Sequence, residues 1–229
     1  MAQVFDGVEV ETGPQPQWSV IWLHGLGADG HDFEPIVPEL VEDDWPAIRF
    51  VFPHAPVRAV TINGGIAMRA WYDILGLEIA QRQDERGVRE SIETVRALVA
   101  RENARGVPSE RIVIAGFSQG GAIALAAALR HPEPLAGVVA LSTYLPIADC
   151  SEAERSAANH ALPIFMAHGS LDPVVGHTLG LMSRGYLEQL GYRVQWHSYS
   201  MPHSVNAEEI GDLSRWLGAR FEARAGARP

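Results

Sequence analysis

Ser118 stands in the middle of Gly116-Phe117-Ser118-Gln119-Gly120, with glycines two positions to either side of a single hydroxyl. A side chain at either flank would collide with a strand entering the turn or a helix leaving it, so this spacing lifts the serine clear of both. The chemistry it suits is nucleophilic attack on an acyl carbon. A hydroxyl is a poor nucleophile until a base takes its proton, and the resulting oxyanion needs hydrogen-bond donors. The same pentapeptide also fits a serine that merely opens a helix, so the base, its orienting acid and the donors must be sought elsewhere in the chain.

Histidine is the only base available, because all 18 Lys+Arg residues are arginine. The absence of lysine rules out a Ser-Lys dyad, a Schiff-base lysine and a P-loop lysine. Of nine histidines, His203 is the best placed, in Ser200-Met201-Pro202-His203-Ser204 just beyond the last strand. His197 falls within that strand and His177 on a helix, while His24 and His168 flank the expected site as supports of its loops. Asp172, in His168-Gly169-Ser170-Leu171-Asp172-Pro173, follows a strand at its carboxyl end and is the candidate acid. Its competing reading is a helix cap, and Asp149, one strand earlier, ranks second. The glycine-rich loop His24-Gly25-Leu26-Gly27-Ala28-Asp29-Gly30 lacks phosphate-binding spacing and precedes the nucleophile strand. It therefore suits an oxyanion loop, with the backbone amides of Leu26 and Gln119 as donors. Trp71, Ile74 and Leu75 either wall a substrate site or anchor a surface loop, and the residues alone leave both open. No HExxH or paired Cys/His spacing is present, so no metal is expected.

The surrounding elements must bring these groups together. Ile112, Val113 and Ile114 form a β-branched run suited to a central parallel strand. The residues after the serine, 121–129, are nearly all alanine, leucine and isoleucine, a helix that presses closely on a sheet and aims its positive end at the serine. Further strands are expected at 8–12, 18–23, 48–52, 138–141, 164–167 and 194–199. Helices are expected at 32–41, 84–105 and 173–190, and a closing helix begins where Asn206 and Glu209 resemble a capping pair. Residues 53–77 and the stretch from 142 to 161 read as irregular. Alternating strands and helices predict an α/β fold with a mostly parallel central sheet and helices on both faces.

At 229 residues with 47% hydrophobic content and no linker-like or repeated stretch, the chain is read as one domain, 1–229. Its net charge of -10 speaks against nucleic acid and anionic membrane as partners. One cysteine, Cys150, cannot form an internal disulfide. With no basic, apolar leader and no membrane-length apolar run, the expectation is a cytoplasmic protein without stable membrane insertion.

The order Ser118, Asp172, His203, each just after a strand, is that of an α/β-hydrolase. Together LHGLGADG, INGG, WYDI, AGFSQGGA, LSTYLP, HGSLDPVV and MPHS resemble the carboxylesterase branch that includes acyl-protein thioesterases and lysophospholipases. The resemblance spans about 17–217. It implies an α/β-hydrolase fold without a large lid domain, no cofactor, a shallow apolar acyl groove near Trp71, Ile74 and Leu75, Leu26 and Gln119 as oxyanion donors, and members that are often homodimers. Arg69-Ala70, Gly176 and Ser200 depart from the family's usual residues near the groove. The first functional expectation is cleavage of small or medium carboxylic esters through an acyl-enzyme on Ser118. The alternative is an acyl-protein thioesterase or lysophospholipase for long acyl chains, and a further reading is a non-catalytic binding module.

Overall fold

A computed structural model describes residues 5–76 and 83–225. In chain order the elements are β1 (Gly7–Glu11), β2 (Trp18–Leu23), the short α1 (Val37–Leu40), β3 (Ile48–Pro53), β4 (Val57–Val60), β5 (Ile66–Arg69) and α2 (Glu85–Ala104). They continue with β6 (Ile112–Phe117), α3 (Gln119–Arg130), β7 (Gly137–Leu141), α4 (Ala148–Glu154), β8 (Ile164–Gly169), α5 (His177–Gln189), β9 (Val194–Tyr199) and α6 (Ala207–Ala225).

Seven strands form one sheet in the order β1-β3-β2-β6-β7-β8-β9. Every pairing is parallel except the edge pair β1 with β3. Strand alternation divides the core in two. Ile21, Leu23, Ile112, Ile114, Val138 and Met166 face a layer that includes α2, α3 and α5. Val20, Trp22, Val113, Ala115, Val139 and Phe165 face α1 and α6. Because each central strand is covered on both sides, its hydrophobic run is continuous, which is why these strands read so plainly from sequence. This is the sheet and layering of an α/β-hydrolase, and among the described residues no large lid domain covers the strand ends.

Three expectations change. The stretch 53–77, as far as Gly76, is not irregular: β4 and β5 form an antiparallel hairpin, with Gly64 at φ 67° and Gly65 at φ 80° in its turn. Leu77 lies outside the described residues. Val57 and Ile66 are exposed, so the hairpin buries too little to leave a period-2 pattern. The stretch 142–161 contains α4, whose preceding residue Ile147 is left-handed and offers no capping side chain, so no start signal was visible. The expected helix 32–41 is a 3-10 turn, Glu34–Ile36, followed by α1.

The first turn of α6 holds a buried acid. The Glu209 N–H donates to Oδ1 of Asn206 at 2.9 Å, half of the expected capping pair. The return half is missing: both carboxyl oxygens of Glu209 are buried and unbonded among the described residues. Burial pushes this carboxyl up from 4.5 to about 8. Between those values the folded protein keeps a proton that the unfolded chain has released, so stability is fully present below the unfolded value, falls as pH rises through the window and levels off above it. Glu209→Gln abolishes the titration. It should match the wild type near pH 4.5 and exceed it by on the order of 5 kcal/mol above pH 8. Denaturant midpoints at the two pH values test this, and wild-type pH dependence in the variant would contradict it.

Candidate active site

The serine turn has the geometry that its glycines imply. Ser118 adopts φ 54° and ψ -122°, a strained conformation for a residue with a Cβ. A Cβ on Gly116 would lie 2.4 Å from the Gly120 carbonyl, and one on Gly120 would lie 2.2 Å from the Leu23 oxygen. Neither position admits a side chain. The strained backbone is held from outside: the Ser118 N–H donates to Leu141 O at 2.8 Å, and the Thr143 hydroxyl donates to Ser118 O at 2.6 Å. Helix α3 begins at Gln119 without a side-chain cap, leaving first-turn N–H groups and the positive end of its dipole beside the serine.

Asp172 and His203 meet. His203 Nδ1 lies 2.6 Å from Asp172 Oδ2, while Oδ1 of the same carboxylate accepts the N–H groups of Val174 at 2.8 Å and Val175 at 2.9 Å. A carboxylate that only accepts fixes the imidazole proton on Nδ1 and leaves Nε2 free to act as a base. Asp172 thus pairs with His203 through one oxygen and caps the following turn with the other. Asp149 lies within α4, away from this pair in the chain.

The acid and base loops extend the pairing of β8 with β9. The Ser170 N–H donates to Tyr199 O at 2.8 Å and the Leu171 N–H to Met201 O at 3.2 Å. Gly169 permits this approach, since a Cβ there would lie 2.4 Å from the carbonyl oxygens of Met201 and Pro202. The His203 ring packs on Phe117, the residue before the serine, with centroids 4.7 Å apart. The glycine-rich loop closes the fourth side: a Cβ on Gly25 would be 3.6 Å from the Ser118 Cβ. Ser118, Asp172, His203 and the loop carrying Leu26 therefore gather at the carboxyl ends of β2, β6, β8 and β9.

Two further histidines hold this corner in place, each as a neutral ring. The Ala55 N–H donates to His24 Nε2 at 3.0 Å, so Nδ1 carries the proton, 2.7 Å from Gly25 O. Burial lowers the pKa of His24 and keeps this tautomer uncharged. His168 Nε2 donates to Val175 O at 2.8 Å and lies 3.4 Å from Asp172 Oδ2. Its Nδ1 is buried without a hydrogen bond among the described residues, and burial lowers its pKa as well. His168 thus braces the turn whose amides bind the acid.

The candidate substrate wall separates into two kinds of residue. Leu75 is exposed and Ile74 half-buried, bridging to Gln83. Trp71 is 0% exposed and cannot form a wall. Its indole N–H donates to His24 O at 2.9 Å, so it serves the interior of the site. Sequence reasoning also missed the side chain of Gln119, whose amide bonds Trp71 N at 2.7 Å and Tyr72 O at 2.8 Å. The available signal was a lone amide in an otherwise apolar helix. Tyr72 and Tyr144 share a buried hydroxyl–hydroxyl bond of 2.7 Å behind the site. No cluster of metal-ligating side chains occurs among the described residues.

This geometry agrees with comparisons to known proteins. Acyl-protein thioesterase 1 of Mycosarcoma maydis is 37% identical over 225 residues, covering 92% of this chain and 94% of that protein. The crystal structure of SOBER1 from Arabidopsis thaliana superposes with a TM-score of 0.84 at 30% identity, covering 89% of this chain and 98% of that one. Acyl-protein thioesterase 2 of Zea mays gives 0.82 at 28% identity over 94% of this chain and 99% of its own. The phospholipase/carboxylesterase family model matches residues 6–220, which takes in the serine turn and both loops that meet it, and the chain belongs to that family.

Proposed function

We propose that this protein is a serine hydrolase that cleaves acyl thioesters, with Ser118 as nucleophile, His203 as general base and Asp172 as the acid that orients it. The observation that carries the reading is the 2.6 Å bond between His203 Nδ1 and Asp172 Oδ2, in a loop packed against the strained serine turn. His203 Nε2 takes the Ser118 proton as Oγ attacks the acyl carbon. The backbone N–H groups of Leu26 and Gln119 receive the oxyanion, the thiol departs with the proton, and water then releases the acid from the acyl-enzyme. All 229 residues act as one domain in this reading.

Sequence alone put small and medium oxygen esters first. The names of the relatives move the preference to acyl thioesters, and the apolar rim favours a long acyl chain. Leu171 is 67% and Val174 59% exposed on either side of Asp172, and Leu75 is exposed as well. Apolar residues at a catalytic rim are what an acyl chain would cover. Ile74 and Leu75 are the proposed wall for that chain. A series of thioesters and matched oxygen esters with acyl chains of 2 to about 16 carbons tests the assignment, since each buried methylene contributes about 0.8 kcal/mol until the groove is filled. The specificity constant should rise with chain length, and at equal length it should be larger for the thioester. A maximum at two to four carbons on oxygen esters would return the protein to the small-ester reading.

A further inference from the structure

We propose that Trp71 is a positioning residue that sets the separation of the two oxyanion donors, an inference that rests on the hydrolase reading above. The donors belong to different elements: Gln119 opens α3, and Leu26 follows β2 in the glycine-rich loop. Trp71 is tied to both. Its backbone N–H donates to Oε1 of Gln119 at 2.7 Å, and the same amide side chain donates from Nε2 to Tyr72 O at 2.8 Å. Its indole Nε1 donates to His24 O at 2.9 Å, two residues before Leu26. The remaining backbone group, Trp71 O, accepts from the Ser91 hydroxyl on α2.

The far end of this bridge is equally fixed. The neutral His24 ring is held between Gly25 O and the Ala55 N–H, and Gly27 N–H donates to Arg69 O at 2.9 Å, two residues before Trp71. A fully buried tryptophan therefore spans, from its backbone N–H to its indole N–H, the residue that carries one donor and the loop that carries the other. Without its N–H the loop keeps its covalent path, but His24 O loses its partner and the loop loses its distance constraint to α3. Such a change acts on the oxyanion, which exists only in the transition state. It leaves ground-state acyl binding alone.

Two substitutions test this. Trp71→Phe removes the N–H and part of the ring. Incorporation of benzothienylalanine at position 71 removes only the N–H, with sulfur in its place, so it carries the test if the phenyl variant does not fold. In both folded variants kcat should fall about tenfold, between the roughly fivefold effect of one ordinary hydrogen bond and the loss of about 100-fold or more when an oxyanion donor is deleted. KM should stay within about twofold, and affinity for a trifluoromethyl ketone, whose hemiketal oxyanion occupies the same donors, should fall by the same factor as kcat. Wild-type kcat in the folded benzothienylalanine protein would overturn the inference. So would a fall in kcat with unchanged ketone affinity, because that pattern reports damage away from the oxyanion. Wild-type protein that neither turns over acyl esters nor binds the ketone would overturn the hydrolase reading, and this inference with it.

Discussion

Replacing Ser118 by alanine is expected to lower turnover of an activated acyl ester by on the order of a million-fold, the loss seen when the nucleophile of a serine triad is removed. The variant should fold as the wild type does. The turn is held by bonds to the backbone of Ser118, from its N–H to Leu141 O and to its O from the Thr143 hydroxyl and the Ala122 N–H, and none involves the Ser118 hydroxyl. Alanine keeps a Cβ at φ 54°, so the strain of the turn is unchanged. The residual activity should not be zero. Oxyanion donors and substrate binding alone retain about 10³-fold or more over water when a triad member is lost. Steady-state hydrolysis of a p-nitrophenyl ester measures the difference, and a variant within tenfold of the wild type would remove Ser118 from the mechanism.

Asp172→Asn is expected to reduce kcat by about 10⁴-fold, with little loss of fold stability. The two oxygens of Asp172 have separate duties. Oδ1 binds the amides of Val174 and Val175, and an asparagine oxygen can keep both bonds. Oδ2 receives the His203 Nδ1 proton, and the asparagine NH₂ there is a donor facing a donor. The imidazole responds by moving its proton to Nε2, which blocks acceptance of the serine proton. The expected signature is therefore a collapse of kcat at nearly constant melting temperature. A fall in both together would mean that the acid serves the fold more than the base. Retention of kcat within about tenfold would exclude the tautomer argument.

The parts legible in sequence were those whose physics is local. The serine turn declares itself because two glycines are needed within five residues, and the central strands because burial on both faces writes a continuous apolar run. Asp172 and His203 were legible by their position just after strands, and the fold brings them to 2.6 Å. What escaped was set by contacts between distant segments. Trp71 reads equally as a substrate wall or as the anchor of a surface loop until the fold shows it buried and bonded to His24, some 47 positions away. The roles of Gln119, His168 and the Tyr72–Tyr144 pair likewise depend on partners that no local pattern names. The β4–β5 hairpin escaped for the opposite reason, since it buries too little to impose a pattern at all.

The neutral histidines also separate support from catalysis. His24 and His168 are each bonded through one ring nitrogen to a backbone carbonyl and depressed in pKa by burial. His203 is tied through Nδ1 to a carboxylate, and its ring packs on Phe117, the residue before the serine. His31 and His197 also face carboxylates, those of Glu34 and Asp212, so the packing of His203 on Phe117, beside the serine, is what singles it out as the proposed base.

The most direct test of Ser118 as the activated nucleophile is the site of reaction with a fluorophosphonate, read by intact mass and peptide mapping of folded protein. The wild type should gain one adduct, mapped to Ser118, and the Ser118→Ala protein none. Absence of an adduct on the wild type, or an adduct mapped to any other residue, would contradict the assignment of this corner as an acyl-transfer site.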